Sequence, residues 1–223
     1  MNREELLKLT NITKTYGEHV VLKGVDLSVR QGDYLSIMGR SGCGKSTLLN
    51  IIGGMDTATS GSYRFGSEEI TAMTDRLLSA FRNRQIGFVF QQFHLIGELT
   101  AAENVAMPLG YRGVSRRERN RLAERALAQV GLSDRRNSLP KHLSGGEQQR
   151  VAIARAIVGD PSLVIADEPT GSLDYETAQT VLDLFDLFHE SGKTILVVTH
   201  DEEVARRASQ RCFLLAGSLR EGR

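Results

Sequence analysis

The run Gly39-Arg40-Ser41-Gly42-Cys43-Gly44-Lys45-Ser46 has the residue types and spacing needed to hold a phosphate chain. Its glycines let backbone N–H groups converge on an anion without obstruction by Cβ atoms. Lys45 brings a point charge to the terminal phosphates, and the Ser46 hydroxyl suits a Mg2+ ligand. Thr47 follows, and Lys45–Ile52 reads as a helix whose positive end serves the same anion. The apolar run Tyr34–Met38 precedes the loop, which completes the strand–loop–helix order. A chance match in a chain of this length is on the order of one percent, so a mere glycine-rich turn is a poor reading. Cys43 occupies a variable position of the motif and reads as a small filler, open to oxidation.

Further chemistry sits after other apolar runs. Leu163–Ala166 leads directly into Asp167 and Glu168, and ligand sites in parallel α/β sheets gather at such strand ends. Adjacent residues of an extended chain point opposite ways. Asp167 can therefore serve the Mg2+ shell while Glu168 acts as general base toward water. His200 ends the run Ile195–Thr199 and is placed to contact a γ-phosphate or polarise the water. The histidines at 19, 94, 142 and 189 have no comparable setting and read as solvated or packed.

The elements that must position these groups alternate. Apolar runs at Tyr34–Met38, Ile86–Phe90, Leu163–Ala166, Thr194–Val198 and Cys212–Leu215 read as buried strands. Helical spacing is expected over Lys45–Ile52, Ala101–Met107, Arg116–Val130, Glu147–Val158 and Glu176–Glu190. The fold class is therefore α/β with a mainly parallel sheet. Leu6–Thr10 and Val20–Arg30 read instead as an N-terminal antiparallel β subdomain turning near Tyr16-Gly17-Glu18. From about 92 to 158 no strand run occurs, so an inserted α-helical lobe is expected. Residues 1–223 form one domain, with a core lobe of about 1–91 and 159–223.

Composition narrows the partners. A net charge of +1 gives no general attraction to nucleic acid or anionic lipid. The arginines at 116, 117, 119, 121 and 125 alternate with Glu118 and Glu124 on a helical pattern, as a solvated face does. Two distant cysteines lack metal-ligand spacing and suit a reducing compartment. The start, Met1-Asn2-Arg3-Glu4-Glu5, lacks the pattern of a signal peptide, and no apolar run approaches the ~20 residues that cross a bilayer. Any membrane role is expected to come through a partner.

Leu143-Ser144-Gly145-Gly146-Glu147-Gln148-Gln149-Arg150 resembles the signature motif of ABC ATPases in its extended form. Other pieces follow in that family's order. Gln91 resembles the Q-loop glutamine, Ser172-Leu173-Asp174 the D-loop, His200 the switch histidine, and Tyr16 the aromatic that stacks on adenine. Gln91, directly after its strand, is preferred to Gln92. The likeness spans about Leu7 to Gly217 and implies a P-loop NTPase (RecA-like) core that binds and hydrolyses Mg-ATP. It implies ATP contacts from Tyr16, Gly39, Arg40, Ser41, Gly42, Cys43, Gly44, Lys45, Ser46 and Thr47. Lys45, Gln91, Glu168 and His200 would be catalytic, and Ser46, Gln91 and (through water) Asp167 would serve the metal.

Ser144 reads as an N-cap, and the glycines behind it leave amide donors for an anion. In the family, Ser144, Gly145, Gly146 and Glu147 of one copy would close over ATP held by a second. The residues alone leave open a return of this turn to its own phosphate loop. The branch resembled is that of lipoprotein-releasing, cell-division and macrolide-exporting ATPases, through Gly53-Gly54-Met55-Asp56, Ile86–Gln91, Thr100–Val105 and Ala166–Asp174. Gly97 departs from the proline common there. The resemblance implies integral membrane permease subunits as partners and a place on the cytoplasmic face of the inner membrane. Cargo specificity would rest largely with the permease. Phe93-His94-Leu95-Ile96 is equally readable as core packing or as part of the docking surface.

Two rivals have discriminating features. A non-transport ABC ATPase acting on DNA or ribosomes would carry long coiled-coil insertions or two cassettes, and this chain has neither. A nucleotide-regulated module without turnover would not need Glu168 and His200.

Overall fold

The structure, a computed structural model, describes residues 4–222; the residues Met1, Asn2 and Arg3, read above for targeting signals, lie outside it. In chain order the elements are β1 (Glu5–Tyr16), β2 (His19–Arg30), β3 (Tyr34–Met38), α1 (Lys45–Ile52), β4 (Ser60–Phe65), β5 (Glu68–Glu69), α2 (Asp75–Gln85), β6 (Ile86–Phe90), α3 (Ala101–Tyr111), α4 (Arg116–Gln129), α5 (Gly145–Ile157), β7 (Leu163–Asp167), α6 (Tyr175–Glu190), β8 (Thr194–Thr199), α7 (Glu202–Arg207), β9 (Gln210–Leu215) and β10 (Ser218–Glu221). The chain divides into two compact units, Met1–Arg82 with Phe188–Arg223, and Asn83–Leu187.

In the first unit an antiparallel sheet runs in the order β2-β1-β4-β5. The β1–β2 hairpin is longer than the sequence suggested, with Tyr16 paired to His19 at its tip. Positive φ at Gly17 (58°) lets the chain reverse there. β3 pairs in parallel with β8 and with β9, and β9 pairs antiparallel with β10. All five residues of β3 and all six of β8 are buried, which is why both read as unbroken apolar runs rather than alternating ones.

In the second unit β6 and β7 pair in parallel, accompanied by α3, α4, α5 and α6 as far as Leu187. Buried Val105 and Leu109 of α3, Ala123 and Leu127 of α4, and Val151 and Ile153 of α5 belong to its apolar core. The expected end of α3 at Met107 is corrected: the helix continues through Pro108 to Tyr111. Pro108 forfeits one backbone bond. Its own carbonyl is satisfied by Asn83 Nδ2 at 3.0 Å. No helix of the described residues is long and apolar enough to cross a membrane.

Candidate functional site

At the end of β3 the buried strand gives way to the 39–44 loop, and α1 begins at Lys45. Gly42 and Gly44 hold φ of 80° and 103°, a left-handed backbone that favours glycine. Gly44 is the N-cap of α1, so no side chain caps the helix, and its first turn carries no acid. The positive helix end thus faces a loop built for an anion. At Gly39 a Cβ would meet both Cys43 Sγ and the Leu214 carbonyl at 2.6 Å. Half-buried Cys43 thus turns its Sγ toward Gly39 at the start of the loop. Lys45 Nζ lies across it, donating to the carbonyls of Gly39 (2.8 Å) and Arg40 (3.2 Å). An incoming phosphate offers that ammonium a stronger, charged acceptor.

His200 belongs to the same unit. The parallel register sets Met38 beside Thr199, so the phosphate loop and His200 leave their strands at one level. Tyr16, half exposed at the end of β1, is anchored at its rim: its hydroxyl donates to Asp56 Oδ2. Lys14 Nζ donates to Asp56 Oδ1 (2.6 Å) and to the Thr57 carbonyl (2.7 Å), and lies 4.7 Å from the centre of the Tyr16 ring. Burial opposes ionisation of Asp56, but hydrogen bonds from Lys14 and Tyr16 outweigh it and hold the carboxyl below its ordinary value. The hydrogen bond to Asp56 raises the Tyr16 phenol, chiefly by favouring its neutral, donating form.

In the other unit, the register pairs Phe90 with Asp167, so β6 and β7 end together. Gln91 and Glu168 both leave from that edge. Glu168 has φ of 46°, a left-handed conformation unusual for a residue with a side chain. Its carbonyl accepts from Gly171 N at 3.1 Å. Ser172 Oγ donates to the Gln91 carbonyl at 3.2 Å, and a Cβ on Gly171 would meet Gln91 Nε2 at 2.8 Å. Gln91, Asp167, Glu168 and the turn through Ser172 are thus one cluster, though 81 residues separate Ser172 from Gln91.

The signature turn opens α5, two residues earlier than the expected Glu147. Ser144 Oγ accepts from Glu147 N (3.2 Å), while the Glu147 carboxylate accepts from Ser144 N (2.8 Å). This capping box uses neither Gly145 nor Gly146. Glu147 also accepts from Arg135 Nε at 3.0 Å. Its carboxyl is held below the ordinary value, first by the Ser144 amide.

Several supporting groups were not singled out from sequence. Gln149, fully buried on α5, donates from Nε2 to the carbonyls of Pro169 (2.6 Å) and Phe90 (3.2 Å). Arg155 holds the Phe93 and His94 carbonyls at 2.9 and 2.5 Å. The same helix therefore carries the signature turn at its start and grips the chain on both sides of Gln91. A glutamine and an arginine inside a helical run give no sign of such contacts until strand ends are placed beside them. Lys14 lay outside the strand expected over Leu6–Thr10, and Asp56 was visible only as the acid closing Gly53-Gly54-Met55-Asp56.

A chain with this phosphate loop, strand-end acids and capped glycine turn is an ATP-binding cassette, and the comparisons agree. The ABC transporter family model matches residues 22–171. The chain belongs to that family and is the ATP-hydrolysing subunit type of an ABC transporter. It is 51% identical over 218 residues to the ABC transporter ATP-binding protein YknY of Bacillus subtilis (strain 168), covering 96% of this chain and 95% of that one. It is 47% identical to the lipoprotein-releasing system ATP-binding protein LolD of Geobacter metallireducens, covering 96% of this chain and 97% of the relative. Among solved structures, the dimeric post-hydrolysis state of the ATP-binding cassette MJ0796 bound to ADP and Pi superposes with a TM-score of 0.88 at 44% identity, covering 97% of this chain and 98% of that one. These likenesses favour the transporter ATPase over the DNA- or ribosome-acting alternative.

Proposed function

We propose that two copies of this chain bind two ATP molecules head to tail, each between the phosphate loop of one copy and the signature turn of the other. The observation that carries the reading is the start of α1: left-handed glycines, no side-chain cap and Lys45 lying across the loop. The dimeric MJ0796 cassette with ADP and Pi supports the paired arrangement. In this scheme Gly39, Arg40, Ser41, Gly42, Cys43, Gly44 and Thr47 enclose the phosphates, Lys45 neutralises them, and Tyr16 stacks on the base. Ser144, Gly145, Gly146 and Glu147 approach from the partner copy. Glu168 takes the proton of the attacking water, His200 contacts the γ-phosphate, and the bond to the departing ADP oxygen breaks. Ser172, Leu173 and Asp174 serve the contact between copies.

Ser46, Gln91 and, through water, Asp167 would hold Mg2+. No group of three or more His, Cys, Asp or Glu able to hold a metal exists among the described residues. The hydroxyl, amide and carboxylate oxygens of Ser46, Gln91 and Asp167 suit Mg2+, a hard cation that keeps waters and takes its remaining ligands from substrate phosphates. When bound, the ion supplies neutralisation of the charge shared by the β- and γ-oxygens.

ATP-driven closure and reopening would pass to integral membrane permease subunits through residues 92–158, including Phe93–Ile96, where Ile96 is 40% exposed. The LolD relative is the ATP-binding protein of a lipoprotein-releasing system, which supports such a partner. The chain would then sit at the cytoplasmic face of the inner membrane through that permease. The test is Glu168→Gln. ATP should still bind and turnover should fall about 10²–10⁴-fold, the range for loss of a general base. Near-normal turnover would remove Glu168 from the role. Recovery of an integral protein with the chain from detergent extracts tests the coupling.

A further inference from the structure

The two signature glycines do different things. Neither has positive φ, so backbone conformation does not explain either. Gly145 is exposed, and a Cβ there would make only ordinary contact, 3.6 Å from Leu173 and 3.8 Å from Phe93. Gly146 is buried, and a Cβ there would fall 2.1 Å from Thr177 Cγ2. The atom in the way is a short branched methyl on α6 and cannot swing aside as the end of a long side chain can.

That methyl is held in turn. Thr177 Oγ1 donates to Asp174 Oδ2 at 2.7 Å, and Thr177 N donates to Asp174 Oδ1 at 2.9 Å. Asp174 thereby caps the first turn of α6. Because both γ substituents of threonine sit on one carbon, the hydroxyl bond to Asp174 also fixes where the methyl points. One residue touches the signature turn with its methyl and the D-loop with its hydroxyl.

We propose that Thr177 is a positioning residue for ATP hydrolysis, locking the signature turn and the D-loop of each copy into one rigid piece, and that Gly146 is glycine to admit this contact. Gly145 then remains the glycine that faces ligand. The inference rests on the reading that the signature turn completes a site in a second copy. Both elements would then reach the partner in a fixed relation, so that each copy presents them together.

The test is a double-mutant cycle read in kcat, in the apparent KM for ATP and in ATP-driven dimer formation. Gly146→Ala should lower kcat and dimer formation about tenfold or more, as overpacking at a rigid contact does. ATP affinity of the chain's own phosphate loop should be unchanged. In the Thr177→Ser background, which keeps the hydroxyl and removes the methyl, the same change should cost no more than about threefold. In the Thr177→Val background, which keeps the methyl and loses the hydroxyl, the full cost should return. If Gly146→Ala does not fold, recovery of a folded, dimerising protein by G146A/T177S and not by G146A/T177V is the same result. Equal cost in all backgrounds, full activity of Gly146→Ala, or equal rescue by valine overturns the proposal. A chain whose Glu168→Gln form turns over normally, or whose dimer does not depend on ATP, fails instead on the proposed function, and the two failures are distinct.

Discussion

The role proposed for Tyr16 depends on residues far along the chain. Its ring is half exposed, yet its hydroxyl is fixed by Asp56 and the Lys14 ammonium lies over its face. A ring held this way enters binding with little orientation to lose. Tyr16→Ala should weaken ATP binding about 2–10-fold, the value of one aromatic contact. Tyr16→Phe should fall between, because the ring stays and its anchor goes; isothermal titration of the Glu168→Gln form separates the three. Likeness of motif exposed Tyr16 in the sequence. Its support was not visible, because a contact spanning 40 residues between Tyr16 and Asp56 leaves no periodic trace. Gln149 and Arg155 stayed hidden for the same reason.

Elements were legible where their burial is simple. β3, β7 and β8 are buried along nearly their whole lengths and stood out as apolar runs. α2 did not, since only Leu78 and Phe81 are buried on a polar helix. β4 offers only Tyr63 and Phe65 to the core, and a Cβ at Gly61 near its start would fall 2.5 Å from the Asn11 carbonyl. The starts of α1, α3 and α4 fell where the helical spacing put them, whereas α5 opens two residues earlier than expected, directly after its cap Ser144. Thr100 and Glu103 form a capping box on α3 of the same kind as Ser144 and Glu147 on α5. Thr100→Ala should destabilise the chain by about 0.5–2 kcal/mol in urea melts. The Thr100 amide, and after it the Thr100 hydroxyl that donates to Glu103 Oε2 at 2.8 Å, hold Glu103 below its ordinary value of 4.5, and Thr100→Ala removes the hydroxyl's share. A depressed carboxylate contributes stability that is present above the unfolded value and lost as pH falls through the folded one. The gap between wild type and Thr100→Ala should therefore be full at pH 6–7 and narrow below about pH 4.5. A gap that widens in acid would contradict the assignment.

At the scale of the molecule, motif order identified the family, and the α/β class with its antiparallel subdomain and helical insert followed correctly. The expected helical lobe of about 92–158 and the compact unit Asn83–Leu187 are different divisions. The second also takes in β6 and β7, whose pairing is a long-range fact that no local pattern displays. Paired action makes a molecular prediction. In light scattering, Glu168→Gln with ATP should give a dimer that disperses as ATP is removed. Adding Lys45→Ala should leave it monomeric at the same ATP concentration, because the nucleotide that joins the copies is no longer held. A dimer indifferent to both would count against ATP as the clasp.

The left-handed backbone at Glu168 carries one more consequence. A side chain there costs about 1–3 kcal/mol relative to a relaxed conformation, and asparagine tolerates that region better than glutamate. Glu168→Asn should accordingly melt higher than wild type while hydrolysing almost nothing. If Glu168 is the base proposed above, that exchange trades turnover for hardiness, and an asparagine variant that melts no higher would show that the turn itself already relieves the strain.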